Sequence, residues 1–274
     1  MVSGAFDVKE PRYVLRGNKQ RVFLTVYAPG KKLFHVMVKL RDAPGSYSLI
    51  LDTLRSKINL IGTSTYSLSD GTAMFSGFAE ALSPAQTPDE IQALVMSSKA
   101  ALEAEVREGR DGLLVDTFHN GFVVDGDSYM LLRAAGLAHV FERVSKILGS
   151  GGEALLYEEG FALAQWDLER NLKKLGTERL RAQIGALNRM LSAEGWGDVK
   201  GEYGRSEAEI TMSVKDCFEC SGETTSRKAC NFVRGYFAGA AAAAYGAEYD
   251  CKETKCKTKG SEVCEFTLTL KTPK

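Results

Sequence analysis

The sequence predicts an α+β chain in two parts: a β-α-β-β-α-β front half, then a back half of helices leading into an antiparallel sheet. Three observations predict it. Short apolar blocks fill the first 120 residues, broken by Pro44-Gly45, Asp70-Gly71 and the cap Thr87-Pro88-Asp89-Glu90. From residue 129 to about 193 the apolar period lengthens to that of helices. Alternating strands then return, and all six cysteines fall among them, between Cys217 and Cys264.

Residues 10–29 read as extended, with a hairpin turn at Arg16-Gly17-Asn18. Residues 33–40, L-F-H-V-M-V-K-L, make an apolar strand that turns through Arg41-Asp42-Ala43-Pro44-Gly45-Ser46. Tyr47, Ile50, Leu51, Leu54 and Ile58 follow at helical spacing. Ile61–Leu68 and Thr72–Phe78 flank Asp70-Gly71, a pair suited to the left-handed backbone of a tight hairpin. Thr87, Pro88 and Glu90 supply an N-cap, a first-turn proline and a capping-box carboxylate. The helix they open carries Ile91, Leu94, Val95 and Leu102 and is expected to end near Gly109. Residues 112–118, G-L-L-V-D-T-F, close the unit as its last strand.

After Asp125-Gly126-Asp127-Ser128, residues 129–148 form an amphipathic helix with Leu131, Leu137, Phe141, Val144 and Leu148 on its apolar side. The Gly-Ser-Gly-Gly break at 149–152 leads to helices at about 153–175 and 177–193. Strands are expected at 198–204 and 207–216, a helix at Asn231–Tyr245, and strands at about 247–254 and 262–270 around the turn Lys259-Gly260. No internal repeat or low-complexity linker interrupts the chain. Its domains are therefore expected at residues 1–120 and 121–274.

Composition excludes several classes. The chain holds 35 basic and 35 acidic residues, a balance with no general attraction to nucleic acid or anionic lipid. No apolar run approaches the roughly 20 residues of a membrane span. The start, MVSGAFDVKEPRY, lacks the basic and apolar regions of a signal peptide, so a cytoplasmic protein is expected. No nucleophile elbow, P-loop or dinucleotide fingerprint is present, and no helix-turn-helix pattern. His35, His119 and His139 are scattered; His35 reads as a structural residue of an apolar strand. His119, at the junction of the halves, is the one histidine that invites a test.

Cysteines confined to one short stretch favour metal binding over a disulfide framework. Cys230, Glu253, Cys256 and Cys264 offer three thiolates and a carboxylate, a set that closes a tetrahedral zinc shell with no position left for water. The metal would then be structural. Gly260 permits the reversal that returns Cys264 to Cys256. Lys252, Lys255, Lys257 and Lys259 read as a solvated edge hairpin. Cys217 and Cys220, the C-F-E-C pair, read as buried or incidental thiols, and Cys251 as a potential competitor for the metal.

Two resemblances extend this reading. The stretch V-K-L-R-D-A-P-G-S-Y-S-L-I-L-D-T-L, with I-N-L-I-G-T-S-T-Y-S-L after it, resembles the first β-α-β of ACT domains. That resemblance implies a ferredoxin-like regulatory domain with an effector site at Asp42, Gly45 and Ser46. In the back half, C-N-F-V-R-G-Y-F-A-G-A-A-A-A-A-Y-G-A-E-Y-D-C-K-E-T-K-C-K-T-K-G-S-E-V-C-E-F resembles the C-terminal signature of the 4-vinyl reductase domain family. The resemblance implies a zinc ion held at Cys230, Glu253, Cys256 and Cys264, and an apolar ligand pocket between helices and a sheet. Tyr157, Phe161, Trp166, Phe232, Tyr236 and Phe237 are the candidates to line that pocket.

The expected function is that of a non-enzymatic sensor or regulatory protein for a hydrophobic small molecule, aromatic ones included. It would act as a homodimer with a regulatory protein partner. The alternatives are an accessory enzyme or carrier for a hydrophobic or tetrapyrrole substrate, and a dimeric assembly adaptor.

Overall fold

The structure is a computed structural model that describes residues 22–124, 126–175, 180–203, 209–221 and 230–271. The expected turn at Arg16-Gly17-Asn18 lies outside them. The chain divides into two units, Met1–Met130 and Leu131–Lys274.

In the first unit the apolar block at 33–40 becomes β2 (Leu33–Arg41), preceded by the short β1 (Thr25–Tyr27). Then follow α1 (Ser46–Leu54), β3 (Ile58–Ser67), β4 (Thr72–Ala81), α2 (Pro88–Met96) and β5 (Ala101–Glu108). The main sheet has the order β3-β4-β2-β5, antiparallel throughout. Gly45 opens α1 at φ 86°, a backbone that only glycine adopts without strain. Thr87 and Glu90 form the expected capping box on α2. Phe34, Val36, Val38 and Leu40 alternate onto one face of β2, where they bury Ile50 and Leu54 of α1 and Ile91 and Val95 of α2.

One expectation fails here. The helix predicted to run from 88 to Gly109 stops at Met96, and Ala101–Glu108 is an edge strand on β2. Its sequence, A-L-E-A-E-V-R-E, alternates small or apolar residues with charges, the pattern of a strand with one face in water. The strand predicted at 112–118 shrinks to β6 (Leu113–Val115), which pairs with β1 rather than with the main sheet. This two-stranded ribbon covers the sheet's other face through Phe23, Val26, Ala28 and Leu114, over Leu33 and Phe78. His35 is fully buried on that side, stacked on Phe78 with ring centroids 4.3 Å apart.

A hairpin of β7 (Phe122–Val124) and β8 (Asp127–Tyr129) follows, so the helix expected from residue 129 begins only at Ala134. In the second unit α3 (Ala134–Leu148), α4 (Ser150–Leu175) and α5 (Leu180–Glu194) precede β9 (Asp198–Tyr203) and β10 (Glu209–Lys215). Leu137 and Phe141 of α3 pack on the core, whereas Leu131 and Leu148, expected beside them, are exposed. The chain ends with α6 (Asn231–Tyr245), β11 (Tyr249–Lys255) and β12 (Val263–Leu270), in an antiparallel sheet of order β11-β12-β10-β9.

The small residues of α6 explain its place at the centre of this unit. A Cβ on Gly235 would overlap the Tyr157 carbonyl of α4, and one on Gly160 would overlap the Phe232 carbonyl. Gly239 meets the Phe161 backbone in the same way. Bare backbones therefore let α4 and α6 approach closely, while Val233, Phe237, Ala240 and Ala241 are buried in the core shared with Ile210, Met212 and Phe266 of the sheet.

Candidate metal centre

Five thiols and a carboxylate converge at one end of the second unit's sheet. Cys217 ends the link out of β10, and a single 3-10 turn over Phe218–Cys220 follows it. Cys230 sits at the N-cap of α6, where the free N–H groups of the helix favour a thiolate. Glu253 lies on β11, Cys256 just past its end, and Cys264 points inward from β12 beside Phe266 and Leu268. Strict alternation would set Glu253 and Cys256 on opposite faces, since they are three residues apart. A bulge between Glu253 and Lys255 resets the register and turns both inward.

Two groups of four donors each lie within 4.8 Å of one another: Cys230, Glu253, Cys256, Cys264, and Cys217, Cys220, Cys230, Cys264. The structure therefore brings the four expected ligands together. It also overturns the reading of Cys217 and Cys220 as incidental thiols: the Cys220 sulfur lies 3.1 Å from Cys230, 3.7 Å from Cys256 and 3.5 Å from Cys264. Cys230 and Cys264 are 3.6 Å apart, and Cys217 is 3.8 Å from Cys230. Cys251 belongs to neither group; burial pushes its thiol up to about 12.

The anchor that sequence reasoning missed is Glu219. Buried between Cys217 and Cys220, its carboxylate accepts from the Phe232 N–H at 3.2 Å and the Val233 N–H at 2.9 Å. It thus caps α6 from another segment and holds the C-F-E-C turn against Cys230. Burial raises Glu219 to about 8, against the pull of those backbone donors. Burial likewise raises Glu253 to about 8. Within the sulfur cluster, hydrogen bonding that begins with Cys217 holds Cys264 low and pushes Cys220 and Cys230 up. Cys256 falls to about 5 through its neighbours Cys220 and Cys230. The Lys257 N–H approaches the Cys264 sulfur at 3.4 Å, and Thr258 Oγ1 lies 3.1 Å from the Cys256 sulfur.

The donor chemistry fits zinc. A Zn–S bond of about 2.3 Å implies a sulfur–sulfur edge of roughly 3.8 Å in a tetrahedron, and the cluster already approaches that spacing. The lysines stay at the surface as expected: Lys255 pairs with Glu265 at 2.8 Å and Lys257 with Asp216 at 2.8 Å.

Residues 210–270 match the family model of the 4-vinyl reductase domain. The matched segment runs from β10 to the end of β12 and contains every cysteine of the chain. No curated protein matches the chain. Among solved structures, the phenol-responsive sensory domain of the transcription activator PoxR with phenol is similar at 17% identity, over 53% of this chain and 78% of that one, with a TM-score of 0.46. Trafficking protein particle complex subunit 3 from Naegleria fowleri, covalently bound to palmitic acid, is similar at 13% identity over 51% and 95%, TM-score 0.41. A vinyl-4-reductase family protein from Methanocaldococcus jannaschii is similar at 14% identity over 53% and 85%, TM-score 0.37.

The aromatic residues expected around a ligand divide. Tyr236 is fully buried, and its hydroxyl donates to Asp167 at 2.9 Å. Phe232 packs with Phe141 and Trp196, and Tyr157 stacks with Phe161 along α4. Burial pushes the Tyr157 hydroxyl up to about 12. Trp166 is exposed. Phe237 alone of the six borders a cavity of about 10 Å³, shared with Leu187, Asn188, Ile210, Met212 and Ala240. Into that apolar setting Asn188, itself buried, brings an Oδ1 with no hydrogen-bond partner.

In the first unit, Asp42 N–H donates to the Gly71 carbonyl and Ser46 is buried at the start of α1. His35 Nε2 lies 2.7 Å from Ser76 Oγ, which makes the histidine a structural residue as expected. His119 Nδ1 pairs with Asp116 at 2.8 Å. Among the described residues no helix is long and apolar enough to cross a membrane.

Proposed function

We propose that the second unit is a sensor for a small hydrophobic molecule and that a structural zinc ion braces it. The observation that carries this reading is Asn188. A buried acceptor without a partner, on the wall of an apolar cavity, suits a ligand that is apolar except for one donor group. The cavity has room for about one water, so a ligand of phenol size must push α5 away from α6 and β10. That displacement would be the signal, because occupancy then changes the surface of the unit.

The zinc is held at Cys230, Cys256 and Cys264 with a fourth donor, for which Glu253 is the sequence expectation. It supplies no reaction; a closed shell ties the β11–β12 hairpin to the start of α6, so that the opening is confined to α5. A homodimer passing the change to a regulatory protein partner completes the proposal. Asp42, Gly45 and Ser46 stand beside it as a proposed effector site of the first unit.

The test is titration of the metal-loaded chain with phenol and with toluene, followed by NMR shifts of residues on α5 and α6. Phenol is expected to bind, to shift both helices, and to lose its advantage over toluene in Asn188→Leu. If neither compound shifts α5 or α6 at any accessible concentration, the sensor reading fails.

A further inference from the structure

We propose that Cys220 is a direct metal ligand, so that this chain holds its ion in an all-sulfur shell of Cys220, Cys230, Cys256 and Cys264, with Glu253 outside it. The proposal rests on the zinc reading above and assigns its fourth donor differently.

Geometry carries it. An ion bound by Cys230, Cys256 and Cys264 must sit near the centre of those three sulfurs, and Cys220 lies within 3.1–3.7 Å of each of them. That spacing is close to the roughly 3.8 Å edge of a zinc–thiolate tetrahedron. A thiol there cannot remain a bystander: it either bonds to the ion or takes space that the fourth donor needs. Thiolate also outcompetes carboxylate for a thiophilic ion. The position of Cys220 does not depend on the metal, since Glu219, its neighbour, fixes the turn through two hydrogen bonds to the first turn of α6. The cysteine is preorganised beside Cys230.

The consequence is a wider brace. With Glu253 as fourth donor the ion joins α6 to the β11–β12 hairpin. With Cys220 it also joins the turn that follows β10, so that α6, the hairpin and the end of β10 meet at one atom. Filling the shell needs only loss of thiol protons to solvent, so metal binding should release protons and weaken at low pH.

The experiment uses the full chain. X-ray absorption of the zinc form counts sulfur neighbours without any substitution, and four are expected. With Co(II) as probe, Cys220→Ser should lower the sulfur-to-metal charge-transfer intensity by about a quarter, one sulfur of four. Glu253→Gln and Cys217→Ser should leave it unchanged. Three sulfurs in the unsubstituted protein, or an unchanged spectrum in Cys220→Ser with metal lost in Glu253→Gln, would overturn the proposal while leaving the zinc intact. If native mass spectrometry finds neither Zn(II) nor Co(II) on the chain, the zinc reading falls, and this shell with it.

Discussion

Acid should weaken the first unit through His35, and the size of the effect follows from where β2 places the ring. His35 is fully buried between Phe78 and Phe118, with Nε2 on Ser76 and Nδ1 3.8 Å from Asp116. Burial lowers its pKa from 6.5 to about 4; the Asp116 carboxylate opposes the shift, and His119 and Arg107 reinforce it. Between those two values the unfolded chain takes up a proton that the folded unit refuses. Stability is therefore complete above pH 6.5 and declines as pH falls toward 4. The full shift corresponds to about 3 kcal/mol, and at pH 4.5 the loss reaches about 2.5 kcal/mol. Hydrogen exchange of the β2 peptides, corrected for the intrinsic rate at each pH, reads that loss without interference from the second unit. His35→Gln keeps a polar partner for Ser76 but does not titrate, so its protection should change less with pH by the same amount. Equal pH slopes in the two proteins would refute the reasoning, as would a His35 ring whose NMR shifts titrate near 6.5.

Two further sites test the second unit. Gly235→Ala drives a methyl into the Tyr157 carbonyl and should cost about 1–3 kcal/mol in thermal melts followed by Trp196 fluorescence. Gly151→Ala, on α4 with open space around it, should be neutral or stabilise by up to about 1 kcal/mol. Glu219→Ala removes the acceptor for the Phe232 and Val233 N–H groups and should cost about 1–2 kcal/mol in urea titration, with the loss of protection centred on residues 231–234.

What is legible in the sequence follows the range of the forces involved. Asn231–Tyr245 is readable to the residue because a run of small residues and Gly246 mark it locally. The Asp70-Gly71 hairpin and the Thr87 cap are legible for the same reason: each is decided by neighbours within four residues. Ala101–Glu108 is not. Its alanines and glutamates are good helix formers, and only pairing with β2, some seventy residues earlier in sequence, makes it a strand. The pocket is obscured by α6. A helix poor in side-chain bulk fits a guest or another backbone equally well, and the pattern of glycines at its contact, Gly160 with Gly235 and Gly239, emerges only once α4 is in place.

The metal centre shows the same division within a single site. Glu253, Cys256 and Cys264 share one hairpin, so their spacing around Gly260 announces them; Cys230 stands out at the head of a helix. Cys217 and Cys220 carry a spacing that metals also use, but nothing in it says which way the turn will face. The residue that decides this is the acid between them. A buried glutamate needs donors, and the first N–H groups of α6, which have no partner within their own helix, supply them. Once Glu219 docks there, Cys220 has no place to go except among the sulfurs of Cys230, Cys256 and Cys264. An acidic residue inside a Cys-x-x-Cys turn, a short way ahead of a helix that begins with cysteine, is thus a signal that can be read in advance: the acid caps the helix, and the cap delivers the thiol.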